Sequence, residues 1–328
     1  MSGDIEKLAL FDSRIVQSRP KYAVQKGALS LSNAPFNAIS ATQSQMTFNI
    51  YVPSENVFVD RALEWSSTVH QQFTTTLAVA PVVGEPIVRA GVDFALCAFP
   101  LNSLCSTISA TLNDTTSVIN SQDVLTTVLR LTDYKKNRLQ RTCPTMLDKY
   151  QNYNDAYGAI NNPLAGFESQ TDYAETPNGA FYNLIFTTPT GAPLGTAAPA
   201  FAGATYDAVN GVPVGNLASG VGPHQIYIRW RSTEKIVLSP FIFSDCHEAD
   251  VGLFGMNNIQ LIMNFRDSSR LIRATSQAGR TITNVGYNNG VASVFTDAVV
   301  NTIFMTPSLD VPLPPKSVVP LNISGCRI

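Results

Sequence analysis

The chain has 328 residues, of which 45% are hydrophobic and only 14% charged, and its formal net charge is −2. Soluble domains usually carry about 25% charged residues, so this chain is poor in charge, and it lacks the long Lys or Arg runs of a nucleic-acid-binding arm. Low charge favours a surface that contacts other protein surfaces, because charged residues are depleted at interface cores.

The first residues are polar and acidic, so the sequence predicts no secretory leader, and no apolar run approaches the roughly 18 residues of a membrane span. The cysteines contain no CxxC pair and are expected to be free thiols in a reducing compartment. They are Cys97, Cys105, Cys143, Cys246 and Cys326. Glycosylation patterns begin at Asn113 and Asn322, and without a leader both are expected to stay unmodified.

The chain begins with short apolar pieces between polar residues, and residues 1–40 are expected to form an extended arm. Residues 46–52 alternate with period two and stop at Pro53, which predicts a half-buried strand. The same style continues through residues 57–61 and 63–73. A Pro-led apolar segment over residues 99–113 then predicts a buried strand that ends in a turn.

A short helical region is predicted next, around residues 121–157. Residues 121–131 place apolar side chains at helical spacing behind a Ser or Asp cap, and residues 144–157 form a second helical patch that ends at Gly158. Residues 187–223 are rich in Gly, Ala, Pro and Thr without periodicity. This composition predicts a long ordered loop packed on a neighbouring surface.

Strand patterns resume at residues 224–231 and 234–243. The apolar segment 253–264 then echoes the earlier one, because residues 108–113 (ISATLN) resemble residues 259–264 (IQLIMN). This echo suggests two similar β-units. Short strand patterns at 270–275, 281–285, 290–295 and 299–305, separated by turn residues, predict a sandwich or barrel. The Pro-rich residues 307–328 are expected to run extended.

Candidate chemistry is sparse. The three histidines, His70, His224 and His247, provide little material for a triad or a zinc site. The densest cluster of ligand types is the loop from Asp245 to Asp250 (DCHEAD), but neighbouring residues point in different directions and a polar loop is the preferred interpretation. Several other groups are interpreted as caps, solvated side chains or packing residues. They are Asp123, Asp148, Asp155, Tyr150, Tyr153, Tyr157, Lys135, Lys136, Arg138 and Arg141.

No GxSxG, HExxH, P-loop or GxGxxG motif is present. The sequence therefore predicts no catalytic residue, no cofactor-binding residue and no metal ligand, and no cofactor is expected.

Four features in order carry a family resemblance. They are residues 46–52 followed by a Pro53 turn and residues 57–61, the Pro-led strand ending at Asn113, the Tyr-rich helix 150–157 before residues 162–166, and residues 241–245 with residues 253–256 followed by a strand. This order resembles the jelly-roll major capsid proteins of icosahedral viruses, and in particular the double jelly-roll, hexon-like lineage of tailless DNA viruses.

The resemblance implies an all-β fold of jelly-roll sandwiches, most like a double jelly roll with a short helical insertion and long loops. The implied divisions are an N-terminal arm at 1–40, a first jelly roll at 41–185, a Gly/Ala/Pro loop at 186–223, a second jelly roll at 224–306 and an extended tail at 307–328. A single jelly roll with an inserted helical region and loop stays open.

The resemblance also implies a structural virion protein without enzymatic activity. Three copies would form a capsomer, capsomers would tile an icosahedral shell, and the partners would be copies of the chain and other capsid proteins, with no strong direct nucleic-acid binding. The protein would lie in the virion after assembly in the host cytoplasm or nucleus. The alternative is a lectin-like or receptor-binding β-sandwich that uses the 187–223 loop or the 245–250 loop, and an enzyme ranks third.

Overall fold

The computed structural model describes residues 30–54, 56–60, 63–83, 87–88, 93–96, 100–113, 115–122, 184–193, 205–206, 213–214, 220–236, 252–274 and 279–306. The elements before residue 120 are β1 (Ser30–Asn37), β2 (Ser40–Ala41), β3 (Gln45–Tyr51), β4 (Phe58–Asp60), β5 (Glu64–Leu77), β6 (Phe94–Leu96), α1 (Pro100–Leu104), β7 (Cys105–Leu112) and β8 (Thr115–Ile119). The later elements are β9 (Ile185–Thr187), β10 (Thr205–Tyr206), β11 (Pro213–Val214), β12 (His224–Lys235), β13 (Gly252–Leu253), β14 (Asn258–Phe265), a 3₁₀ helix (Ser268–Leu271), β15 (Ile272–Ala274), β16 (Arg280–Tyr287) and β17 (Phe295–Thr306).

The described strands form two main antiparallel sheets. In the larger, eight-stranded sheet, β12 lies between β5 and β9, while β16 and β17 pair in turn along the other side of β5. β17 pairs with β1 along its outer side and with β4 and β5 along its inner side. The smaller sheet has the order β2-β3-β14-β7-β8, and β10–β11 and β6–β15 form separate two-stranded ribbons.

A single hydrophobic cluster joins the two sheets face to face. Strands β3, β7, β12 and β14 alternate buried and partly exposed residues, so each sends one row of side chains into this cluster. Trp65 of β5 stacks on Phe265 of β14 with ring centroids 6.1 Å apart, which is a direct contact between the sheets. The described strands thus form a β-sandwich with one core, and the predicted all-β class is confirmed.

The alternating patterns located several strands correctly. The strand predicted at residues 46–52 is β3, the one at 224–231 is the first part of β12, and the one at 299–305 lies within β17. Central strand β5 is buried at almost every position, because its core side faces the smaller sheet and its other side is also covered.

Three expectations need correction. Residues 100–104 were expected to extend a strand, but they form α1, and the strand begins at Cys105. The strand pattern at 290–295 falls mostly on a turn, and only Phe295 opens β17. Part of the expected arm is a regular element, because Ser30–Asn37 pairs with β17 along its whole length.

The echoing segments lie side by side. β14 pairs antiparallel with β7, and Ile259, Leu261 and Met263 face Leu112, Ala110 and Ile108. Strands from the ranges 41–185 and 224–306 also pair in the larger sheet, where β12 joins β5 over twelve residue pairs. Among the described residues, the two ranges suggested as separate jelly rolls therefore share both sheets and one core.

Other expectations fall outside the described residues. These are the arm at 1–29, the helical region beyond Gln122, most of the 187–223 loop, the strand end at 237–243 and the tail at 307–328.

Candidate functional site

The best-defined polar site in the described structure is a buried corner where Glu234, near the end of β12, meets the start of α1. Its Oε1 accepts hydrogen bonds from the Leu101 N–H at 2.8 Å and from the Ser232 hydroxyl at 2.8 Å. Its Oε2 accepts from the Asn102 N–H at 2.9 Å and from Asn102 Nδ2 at 2.8 Å. The first N–H groups of a helix have no partner within the helix, so this carboxylate caps α1.

The other end of α1 is also tied down. The Arg266 backbone N–H donates to the Leu104 carbonyl at 2.9 Å, and Arg266 Nε donates to the Ser103 carbonyl at 2.7 Å. Arg266 directly follows β14, so the corner connects the end of a strand of the smaller sheet to the end of β12. α1 is therefore held by the sandwich at both ends, and its role is structural.

Burial raises the pKa of Glu234 from its ordinary value of 4.5 to about 7, against the opposing effect of the four donors around it. Removing a carboxylate from water disfavours its charged form, and here desolvation outweighs the hydrogen bonds. Burial also raises the pKa of the neighbouring Cys105 thiol, and the negative charge of Glu234 adds to the effect. This thiol is free and buried, so it stays protonated and unreactive at neutral pH.

We expect Glu234 to make the protein less stable as the pH rises. The folded state binds its proton more tightly than the unfolded state does, so the stabilisation is complete below pH 4.5 and is lost as the pH rises through about 7. Each pH unit between these values is worth about 1.4 kcal/mol, which gives a loss of up to about 3 kcal/mol. Urea unfolding from pH 4.5 to 8 will measure it.

The control for this pH profile is Glu234→Gln, which has nearly the same shape and does not titrate. Subtracting its profile from that of the wild type removes the contributions of all other groups. The difference should decrease steadily with pH, and parallel profiles would contradict the assignment.

The two described histidines cannot share a ligand. His70 pairs with Arg229 and His224 pairs with Thr75, and directly paired residues project from the same side of a sheet. Thr75 is two positions from the core residue Phe73, whereas His70 is three positions from it, so the two imidazoles lie on opposite sides. Within the described ranges, no group of three or more His, Cys, Asp or Glu is arranged to hold a metal ion.

Asn113 of the first glycosylation pattern is engaged in the β7–β8 turn. Its φ is +52°, its Nδ2 donates to the Gly255 carbonyl at 2.9 Å, and its Oδ1 accepts from the Asn257 N–H at 2.8 Å. The predicted turn is confirmed. This side chain joins the turn to the segment that precedes β14.

The remaining candidates from the sequence lie outside the described residues. They are His247 with the loop from Asp245 to Asp250, the carboxylates Asp123, Asp148 and Asp155, the tyrosines Tyr150, Tyr153 and Tyr157, the basic group of Lys135, Lys136, Arg138 and Arg141, and the cysteines Cys97, Cys143, Cys246 and Cys326.

Exposed apolar residues are the main candidates for protein contacts on the described surface. Three of them, Val79, Val82 and Val83, belong to the loop after β5, and Val79 is 78% exposed. The others are Leu31, Ile39, Tyr51, Val118 and Val221. The backbone N–H of Leu77 donates to the Val221 carbonyl at 2.6 Å, which brings Val221 to the base of this loop. Clustered exposed apolar residues mark contact surfaces more often than isolated ones do.

Two strands at sheet edges are further candidates for contacts with other chains. β1 borders the larger sheet and β8 borders the smaller one, and both carry exposed residues along their length. The edge of a sheet presents backbone groups that can pair with another chain. Pro35 lies within β1 and lacks an N–H, which limits such pairing there.

A shallow cleft of about 180 Å³ lies between the β2–β3 turn and the loop before β17, and Thr42, Gln43, Asn289 and Ser293 are among its lining residues. This is smaller than the roughly 300–1,000 Å³ of typical ligand pockets. In the described part of the chain, no helix has the length and apolar character needed to cross a membrane.

Comparison with known proteins gives the decisive observation. A family model described as the Sputnik virophage major capsid protein 1st domain matches residues 3–305. The chain belongs to this family. A Sputnik virophage protein named as a capsid protein is 27% identical over 304 residues, which are 91% of this chain and 44% of that protein.

Solved virophage structures have the same fold. A chain from the cryo-EM structure of the Sputnik virophage matches with a TM-score of 0.63 and 21% identity, over 95% of this chain and 55% of that one. The crystal structure of the mavirus major capsid protein matches with a TM-score of 0.52 and 12% identity, over 97% of this chain and 55% of that one. The chain thus spans about half the length of the relatives it matches.

Membership of the Sputnik virophage major capsid protein family confirms the predicted family, and the solved structures confirm the jelly-roll fold class. The buried corner at Glu234 then belongs to the framework of this jelly-roll fold.

Proposed function

We propose that this chain supplies one jelly roll of a major capsid protein, which assembles with copies of itself into the shell of a virion. The observation that carries the proposal is the extent of the core: one hydrophobic cluster includes residues from Met46 to Phe304, and the family's first-domain model matches residues 3–305. In a double jelly roll, the second sandwich would come from outside the described residues.

Three copies would form a capsomer and capsomers would tile an icosahedral shell, as in the lineage that the sequence resembles. Three features support contacts between protein surfaces: the low fraction of charged residues, the edge strands β1 and β8, and the exposed valine loop, which is the loop after β5 with Val79, Val82 and Val83. Many weak contacts would add up to a rigid container. The protein would act without catalysis and assemble in the host cytoplasm or nucleus.

The test is the size of the purified full chain over a range of concentration, salt and pH. Light scattering after size-exclusion chromatography should give the mass of a trimer or a larger assembly, and negative-stain images should show compact capsomers or shell fragments. A monomer under every condition would contradict self-assembly and would favour the alternative of a lectin-like or receptor-binding β-sandwich.

Val79→Asp is expected to weaken assembly without unfolding the subunit. The substitution places a charge in the exposed valine loop, where a neighbouring copy would have to desolvate it. Stability should change by less than about 0.5 kcal/mol, as for most surface substitutions, whereas the assembled fraction should fall severalfold by light scattering. Ser54→Asp adds the same charge in an exposed turn and serves as the control. Equal assembly of both variants would exclude the valine loop from the interface.

A further inference from the structure

A short turn after β9 lies against the side of the larger sheet that faces away from the core, termed here the outer face. Residues 188–193, termed the strap, fold back so that Thr187 and Pro193 form an antiparallel bridge. The Thr188 N–H donates to the Ala192 carbonyl at 2.8 Å, and the Gly191 N–H donates to the Thr188 carbonyl at 2.9 Å. The strap is therefore a closed turn with its own hydrogen bonds.

The strap is tied to the loop that joins β16 to β17, residues 288–294. Asn288 Nδ2 donates to the Pro189 carbonyl at 2.9 Å, and the Asn288 backbone N–H donates to the His70 carbonyl at 3.1 Å. The His70 N–H in turn donates to the Val294 carbonyl at 2.9 Å. The strap, this loop and the middle of β5 thus meet around His70.

The imidazole of His70 is enclosed by these segments, and only 6% of the residue is exposed. Gly191 has φ +86°, and a Cβ at this position would lie 3.3 Å from His70 Nδ1 and 2.8 Å from Val291 Cγ1. The backbone of the strap therefore packs directly on the ring. Nδ1 is buried without a hydrogen-bond partner. The protonated ring carries a hydrogen on both nitrogens, so its Nδ1–H would be a buried donor without an acceptor.

The charges around the ring also disfavour a cation. Burial lowers the pKa of His70, and the Arg229 guanidinium on the adjacent strand β12 lowers it further, while Asp297 on β17 opposes them. The strap and the 288–294 loop contribute no titratable side chain. Tyr287 on β16 pairs with Gln71 and so projects to the core side. Arg229 and Asp297 are thus the charged groups that act on His70 from the packed elements.

We propose that His70 is an acid-sensitive latch, and that its protonation in mild acid releases the strap from the outer face of the larger sheet. With the strap closed the ring is held neutral, whereas with the strap open it binds a proton freely. The closed state is therefore favoured above the ordinary histidine value of about 6.5 and loses stability as the pH falls through it. The latch is a property of the subunit and does not depend on the proposed assembly.

The test is hydrogen exchange of the full chain at pH 7.5 and pH 5.5, with rates corrected for the intrinsic effect of pH. Protection of the amides in residues 188–192 should fall by roughly three- to tenfold at the lower pH. This local reading is needed because Glu234 titrates in the same range with the opposite effect on global stability. His70→Gln removes the titration and should abolish the change.

His224→Gln is the matched control, because His224 lies on the core side, where its Nε2 is 3.0 Å from the Gly220 carbonyl oxygen. It should show the wild-type response. Arg229→Gln provides a second variant that leaves His70 in place, and removing this cation should move strap opening to lower pH. Wild-type protection that is equal at the two pH values, or a response retained in His70→Gln, would overturn the proposal.

Discussion

Trp230→Ala is expected to lower the free energy of unfolding by about 3–5 kcal/mol, as measured by urea unfolding at pH 7. Trp230 lies on β12 with 0% of its surface exposed and belongs to the cluster that joins the two sheets. Its Nε1 also donates to Gln71 Oε1 at 2.7 Å. The substitution would open a cavity between the sheets and remove the hydrogen-bond donor from a fully buried amide.

Trp230→Phe separates these two effects. It keeps most of the apolar volume and removes the donor to Gln71, so the expected loss is about 1–3 kcal/mol. If Trp230→Ala and Trp230→Phe destabilise the protein equally, the loss of stability comes from the hydrogen bond to Gln71 and not from packing at this position. A loss below 1 kcal/mol for Trp230→Ala would contradict the position of this side chain in the core.

Glu234→Ala is expected to cost about 3–5 kcal/mol at pH 7 and to loosen α1 first. The substitution leaves the backbone N–H groups of Leu101 and Asn102 without their acceptor in a buried corner, and the Asn102 side-chain amide keeps only its hydrogen bond to the Lys235 carbonyl. Each buried donor that loses its partner costs about 1–3 kcal/mol. Urea unfolding would measure the total, and hydrogen exchange of residues 101–105 would locate the change.

Glu64→Ala is the control for this loss. Glu64 lies opposite Lys235 in the register of β5 and β12 and is only half-buried, so its removal should cost less than about 1 kcal/mol. Equal losses for the two variants would show that charge near the end of β12, and not the capping of α1, sets the stability of this corner.

Alternation of apolar and polar residues with period two is the sequence signal that predicted the strands best. β3 and β12 have one buried and one partly exposed side, so their apolar residues alternate and their limits could be placed within a few residues. β5 is covered on both sides and mixes Ser, Thr and Gln with large apolar residues. The sequence predicted this strand in outline but could not show that the strap covers its outer face.

The corner at Glu234 was missed because its two halves are more than 130 residues apart. Pro100 is well suited to begin a helix, but five residues are too few for a helical pattern, and the capping carboxylate comes from β12. A signal was present in the sequence. Glu234 continues the row of Ile226, Ile228 and Trp230 at alternate positions, which places an acidic side chain on the core side of the strand.

The similarity of residues 108–113 and 259–264 was real but was interpreted as duplication. The two segments are neighbours in one sheet and face the same core, so the same side-chain types suit both. Sequence spacing alone does not distinguish paired strands of one sandwich from equivalent strands of two.

The pairing of β5 with β12, and of β1 with β17, has a consequence for synthesis on the ribosome. β1 begins at Ser30 and its partner ends at Thr306, so the larger sheet cannot be completed until nearly the whole matched region has been translated. Such distant pairings fold slowly. A nascent chain would therefore expose unpaired strands for most of its translation, and in the proposed assembly a partly made subunit would still lack its completed larger sheet.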